Sequence, residues 1–142
     1  MSVLDVSGAA LARARERLGT AADRVRWIEA DVTGHWIAAP VDLWHDRAVF
    51  HFLTNPDERA RYVNRARRLV KRNGHVVVAT FAPDGPSKCS GLPVVRYDAA
   101  GLAGELGPSF TLEHAVEELH TTPAGGIQPF TYAVFRFTAV NR

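Results

Sequence analysis

Apolar residues recur along this chain with two periods, one suited to strands and one to helices. Val3–Val6 is a short apolar run and predicts a strand. Ser7 stands where it can cap a helix, and Leu11, Ala14 and Leu18 then recur at helical spacing up to a stop at Gly19. Val25–Ile28 predicts a second strand, running into Glu29-Ala30-Asp31. After Pro40, Val41–Trp44 predicts a third, with His45-Asp46-Arg47 at its end. Asn55-Pro56-Asp57-Glu58 is a strong helix start: a capping side chain, a proline at the first helical position, and two acids at the positive end of the dipole. Tyr62, Ala66, Leu69 and Val70 form the apolar face of that helix. Arg67, Arg68, Lys71 and Arg72 crowd its last turns, and Gly74 ends it. "HVVVATFA" from His75 is nearly continuous in apolar residues, as expected of a strand covered on both faces.

Pro83 to Pro93 reads as loop, with three prolines and two glycines in eleven positions. Val94–Tyr97 fits a short strand or an extended arm, and Asp98 caps a short helix to Leu106. Phe110–Leu119 and Phe130–Thr138 predict two last strands. Their connection, "HTTPAGGIQP", is too short for a helical crossover, so this pair is expected to be antiparallel. The earlier alternation of strand and helix predicts a parallel sheet.

At 142 residues the chain is expected to form a single domain, 1–142. Its net charge of +2 does not suggest a nucleic-acid partner. In the basic run Arg61–Arg72 the sole aromatic, Tyr62, falls on the apolar face, so the run reads as a solvated helix face. No apolar run approaches the ~20 residues that span a bilayer. No export signal is seen, and a lone cysteine, Cys89, excludes an internal disulfide framework, so the expected location is cytoplasmic.

Four stretches carry a family resemblance. "VLDVSGAALARARERLG" resembles the second strand and following helix of class I S-adenosylmethionine-dependent methyltransferases. "VRWIEADV" resembles their third strand, "VDLWHDRAVFHFL" the fourth strand and the segment after it, and "RRLVKRNGHVVVATFAPDGP" the next helix, turn and strand. The longer signature "DRAVFHFL…GPSKCSGLPVVRYD…HTTP…QPF" resembles a bacterial subgroup of small-molecule methyltransferase-like proteins. The resemblance implies an α/β, Rossmann-like sheet, mostly parallel with a C-terminal antiparallel pair. It places Asp5 as the ribose-binding acid, and Asp31 and Val32 beside the adenine. The family's first strand and glycine-rich cofactor turn have no counterpart in these residues. The expectation is therefore a truncated domain in which S-adenosylmethionine binding is weak or lost. Loss of a central strand separates two strands from four. Either the Val3 strand pairs directly with the Val41 strand, or another chain fills the gap, and a homodimer is expected, with exchange of elements as one way to build it.

His45, Asp46 and His51 form the densest reactive cluster, at the C-terminal end of a strand, where open α/β sheets place their sites. A histidine there suits general-base work, and the same residues equally suit holding a loop together. Their spacing matches no metal motif. Cys89, beside Lys88 and Ser90, is a nucleophile candidate if a histidine reaches it, and otherwise a loop cysteine. Arg96 and His120 are candidates for contacting an anionic small-molecule substrate, or for satisfying loop carbonyls. Three functions follow: a methyltransferase-like enzyme with an incomplete cofactor site, a hydrolase (most simply an esterase) in the emptied crevice, or a non-catalytic dimerising remnant.

Overall fold

In the computed structural model, which describes residues 1–138, the local signals at helix starts are realised atom by atom. Strand β1 (Ser2–Asp5) leads into helix α1 (Gly8–Leu18), whose Ser7 side chain accepts the Ala10 N–H at 3.1 Å. Gly19 ends α1 with φ at 60°, in the left-handed region that costs glycine little. A short 3-10 turn follows, then strand β2 (Arg26–Glu29), parallel to β1 with Asp5 opposite Glu29. The indole N–H of Trp27 donates to the Ala22 carbonyl, and the Arg15 guanidinium lies over the Trp27 ring. These elements form one compact unit, Met1–Ala39.

The second unit runs from Pro40 and is built on strand β3 (Val41–Arg47), helix α2 (Pro56–Leu69) and strand β4 (Val70–Phe81). After β4 come the small hairpin β5 (Lys88–Cys89) and β6 (Leu92–Pro93), helix α3 (Ala99–Leu106), and the long strands β7 (Phe110–Thr121) and β8 (Ile127–Phe137). The sheet order is β3-β4-β8-β7, with β3 parallel to β4 and both pairs involving β8 antiparallel. The expected mixed α/β sheet with an antiparallel end is therefore present. Among the described residues the strands form a pair, β1-β2, a four-stranded sheet, and the separate hairpin β5-β6, so the expected groups of two and four are joined by a further pair. The Val3 strand pairs with β2 alone among the described residues.

Two boundaries differ from the expectation. His45-Asp46-Arg47 lies inside β3 rather than beyond it, because these residues pair with Val77, Val78 and Ala79. Helix α2 stops at Leu69, and the chain enters β4 at once, so Val70, Lys71 and Arg72 are strand residues. Burial of Val70, which pairs with Val41, offsets the helix propensity of the basic run. Gly74 is not a helix stop. It is buried in β4, where a Cβ would lie 2.8 Å from the Lys71 carbonyl oxygen and 2.9 Å from that of Asp42.

Directly opposed residues share a sheet face. One face carries Val76, Val78, Ala133 and Phe135, all fully buried with Phe50, Ala66 and Leu102. Helix α2 sits over this face, since Tyr62 reaches Trp44 and Asp46 on β3. The other face carries Val77, Val134 and Tyr132, only half-buried, and a closed cluster of Ala79, Phe81 and Phe130 at one end. Among the described residues no helix is long and apolar enough to cross a membrane.

Candidate functional site

Asp5 closes β1. Its Oδ1 accepts the Ser7 N–H at 2.8 Å, so the turn into α1 fixes the carboxylate. Its Oδ2 makes no hydrogen bond among the described residues, and the side chain is half-buried. Asp31 follows β2. Its Oδ1 accepts both the N–H and the hydroxyl of Thr33, at 2.8 and 2.7 Å, in a turn that also takes the Gly34 N–H onto the Asp31 carbonyl. The Val32 carbonyl accepts the Trp36 indole N–H at 2.9 Å. The N-terminal unit thus presents two carboxylates at its strand ends, one with an uncommitted oxygen. That is the acceptor chemistry that ribose hydroxyls require, and it fits the adenosine half of S-adenosylmethionine.

In the second unit the His-Asp-His cluster divides. Asp46 points into the core, because alternate β3 residues face opposite ways. Its Oδ1 accepts the Val49 N–H at 3.0 Å, and its Oδ2 accepts the Phe50 N–H at 3.0 Å and the Tyr62 hydroxyl at 2.6 Å. Tyr62 in turn accepts the Trp44 indole N–H at 3.0 Å. Burial raises the Asp46 pKa above the ordinary carboxylate value, and the bonds from Tyr62, Val49 and Phe50 pull it back. Burial also raises the Tyr62 pKa, and the Asp46 charge adds to this, so the phenol stays a donor. This arrangement clamps the β3–α2 connection and leaves the carboxylate no access to solvent chemistry.

His51 is fully buried, and its Nδ1 accepts the Phe81 N–H at 3.0 Å. Its ring packs against Phe52 and Phe81, and its carbonyl accepts the Val95 N–H. Burial lowers its pKa to about 4, so near neutral pH the ring is uncharged and carries its proton on Nε2. The one lone pair of the neutral ring is already used, which leaves His51 nothing to offer as a base.

His45 faces the other way and is exposed, on the same face as Arg47. Arg47 extends across Ala79, opposite which stands Tyr132. Its Nε–H donates to the Tyr132 hydroxyl at 2.9 Å, and its guanidinium lies 4.7 Å from the Phe130 ring centre. The small Ala79 side chain leaves room for this crossing. His120 stands edge-on to Phe130 with centroids 6.1 Å apart. Cys89 and Val94 pack on the same Ala79–Phe81–Phe130 cluster. The structure therefore gathers Arg47, His120 and Cys89 about one aromatic group, on the sheet face that also carries His45.

Cys89 occupies the first strand of the hairpin, whose Ser90-Gly91 turn has φ of 50° and 79°. Neither Cys89 nor Ser90 is hydrogen-bonded to an imidazole among the described residues. The Arg96 Nη1 donates to the Gly85 carbonyl at 2.9 Å and braces the loop. No group of three His, Cys, Asp or Glu side chains among the described residues could hold a metal ion. Sequence reasoning missed Tyr62 as the partner of Asp46, and Tyr132 and Phe130 as the seat of Arg47. The alternation of aromatics in β8 was the available signal for the latter pair.

A protein-family profile described as Methyltransferase domain matches residues 2–78. None of the curated proteins compared matches the sequence. Among solved structures the chain is similar to the N-methyltransferase NodS from Bradyrhizobium japonicum WM9, at 19% identity and a TM-score of 0.73, over 97% of this chain and 73% of that one. It is also similar to the 1,6-didemethyltoxoflavin-N1-methyltransferase of Burkholderia thailandensis, at 22% identity and a TM-score of 0.70, over 97% of this chain and 61% of that one. A SAM-dependent methyltransferase from Methanosarcina mazei aligns at 10% identity and a TM-score of 0.74, over 98% of this chain and 82% of that one. The B. thailandensis structure holds 1,6-didemethyltoxoflavin and S-adenosylhomocysteine.

Proposed function

Since the chain belongs to the methyltransferase domain family, we propose that it serves methyl transfer from S-adenosylmethionine to a small organic acceptor. The observation that carries this reading is Asp5, an acid at the end of β1 with one oxygen fixed by the Ser7 N–H and the other uncommitted. When bound, the cofactor supplies an electrophilic sulfonium methyl group. In the N-terminal unit, Oδ2 of Asp5 would accept from a ribose hydroxyl, and Asp31 and Val32 would border the adenine. Their own turn bonds hold these residues in place before any ligand arrives, so little conformational entropy is lost on binding. In the second unit, Arg47 and His120 hold a polar or anionic part of the acceptor beside Phe130. The Arg47 guanidinium suits this because Tyr132 and Phe130 already orient it and no carboxylate neutralises it among the described residues. His45, exposed on that face, is the base that this unit offers.

Calorimetric titration with S-adenosylhomocysteine tests the reading. With no counterpart of the glycine-rich turn, we expect weak binding, between millimolar and micromolar, about −4 to −8 kcal/mol. Asp5→Ala should weaken it by about tenfold or more, the worth of a charge-assisted hydrogen bond. Absence of binding, or equal binding by the variant, overturns the assignment.

A further inference from the structure

Strand β7 is the outer strand of its sheet, bonded to β8 alone among the described residues. It is twelve residues long, and every residue from Thr111 to Leu119 is exposed. Three of these are apolar: Leu112, Val116 and Leu119, at 38, 46 and 64% exposure. Natural sheet edges are commonly protected by proline, by charged side chains, above all lysine, or by a bulge, and the charges here are Glu113, Glu117 and Glu118. Phe110–Thr121 contains no proline and no lysine, and its one irregularity, between Leu112 and His114, leaves the stretch from His114 onward regular.

The charges on this strand select the partner. We infer that β7 pairs antiparallel with β7 of a second copy of this chain, about a two-fold axis through Val116. In that register each Val116 faces its own copy. His114 stands opposite Glu118 twice over, Ala115 opposite Glu117, and no carboxylate faces another. Moving the axis one residue to Ala115 sets Glu113 opposite Glu117, and moving it to Glu117 sets that carboxylate against itself. Like charges directly opposed are destabilising, so the registers one residue to either side are disfavoured. His114, Val116 and Glu118 share the face that carries Val134, Tyr132 and Phe130 opposite them on β8. The two four-stranded sheets then run on as one, with an isologous contact that closes at two copies. A homodimer is among the sequence expectations. This surface lies at the opposite end of the chain from the gap that prompted it, and the inference stands apart from the methyl-transfer reading.

Sedimentation equilibrium of the full chain is expected to give twice the 15.6 kDa protomer mass. In a Cys89→Ser background, Val116→Cys should form a covalent dimer on mild oxidation, since directly opposed Cα atoms of an antiparallel pair, about 4.5–5.5 Å apart, lie within disulfide range. Glu118→Lys should raise the dimer dissociation constant about tenfold, and adding His114→Glu should restore it. Circular dichroism melts confirm that each variant is folded. A monomer throughout the micromolar range overturns the inference. So does a dimer that shows neither the Val116 cross-link nor the charge-swap rescue.

Discussion

Replacing Tyr62 with phenylalanine removes one oxygen from the buried link between α2 and β3 and leaves the ring in place. The hydroxyl makes two bonds there: it donates to Asp46 at 2.6 Å and accepts from Trp44 at 3.0 Å. A hydrogen bond to a charged group contributes about 1.5–3 kcal/mol and a neutral one about 0.5–1.5, so the expected loss is about 2–4 kcal/mol. Asp46 keeps its two backbone donors, which holds the loss below that of exposing an unsatisfied charge. The loss also depends on pH. Burial raises the folded-state pKa of Asp46, so this group's contribution is fully present below the unfolded value of 3.8 and is lost as pH rises through the folded value. Without the Tyr62 bond that pKa rises further. Destabilisation should therefore be greater near pH 7 than near pH 4 in urea titrations. A loss under about 0.5 kcal/mol, or one of equal size at both values, refutes the account of Asp46 as a carboxylate held by the phenol.

Two other outcomes follow from the same accounting. His51, its pKa lowered to about 4 by burial, contributes stability that is present above the unfolded value of 6.5 and is lost as pH falls toward 4, up to about 3 kcal/mol. His51→Asn should flatten that part of the stability profile measured by thermal melts, and an unchanged profile assigns the acid sensitivity elsewhere. Gly74→Ala forces a Cβ onto backbone oxygens of Lys71 and Asp42, with a cost of about 1–3 kcal/mol in denaturant midpoint, and an unchanged midpoint shows that β4 yields there.

The features legible in the sequence are those decided within a few residues. Ser7, Asn55 and Asp98 were readable as caps because the side chain and the N–H it accepts lie two or three positions apart. The antiparallel end of the sheet was readable from the length of one connection. The start of β4 was not, because Val70 is held by Val41, almost thirty residues earlier, and by burial, neither of which a helical charge pattern reveals. The candidate site shows the same division. The place of Asp5 at a strand end was legible from the apolar run before it. His45, Asp46 and His51 looked alike in sequence, yet strand alternation and the next loop send one to the surface and two to the interior. Tyr62 sat on a helix face that only the folded chain sets against Asp46.

The clamp between Asp46 and Tyr62 has a consequence for the order in which the protein can assemble. The two residues are sixteen positions apart, and α2 passes into β4 with no intervening turn. Closing so short a loop costs little entropy. During synthesis, residues 41–81 are complete well before β8, which will flank β4 on its other side, has been made. A parallel strand pair ordinarily waits on distant segments and folds slowly. Here a phenol on the crossover helix already bonds to the first strand of the pair, so β3 and β4 can keep their register on the ribosome while the rest of the sheet is still being translated.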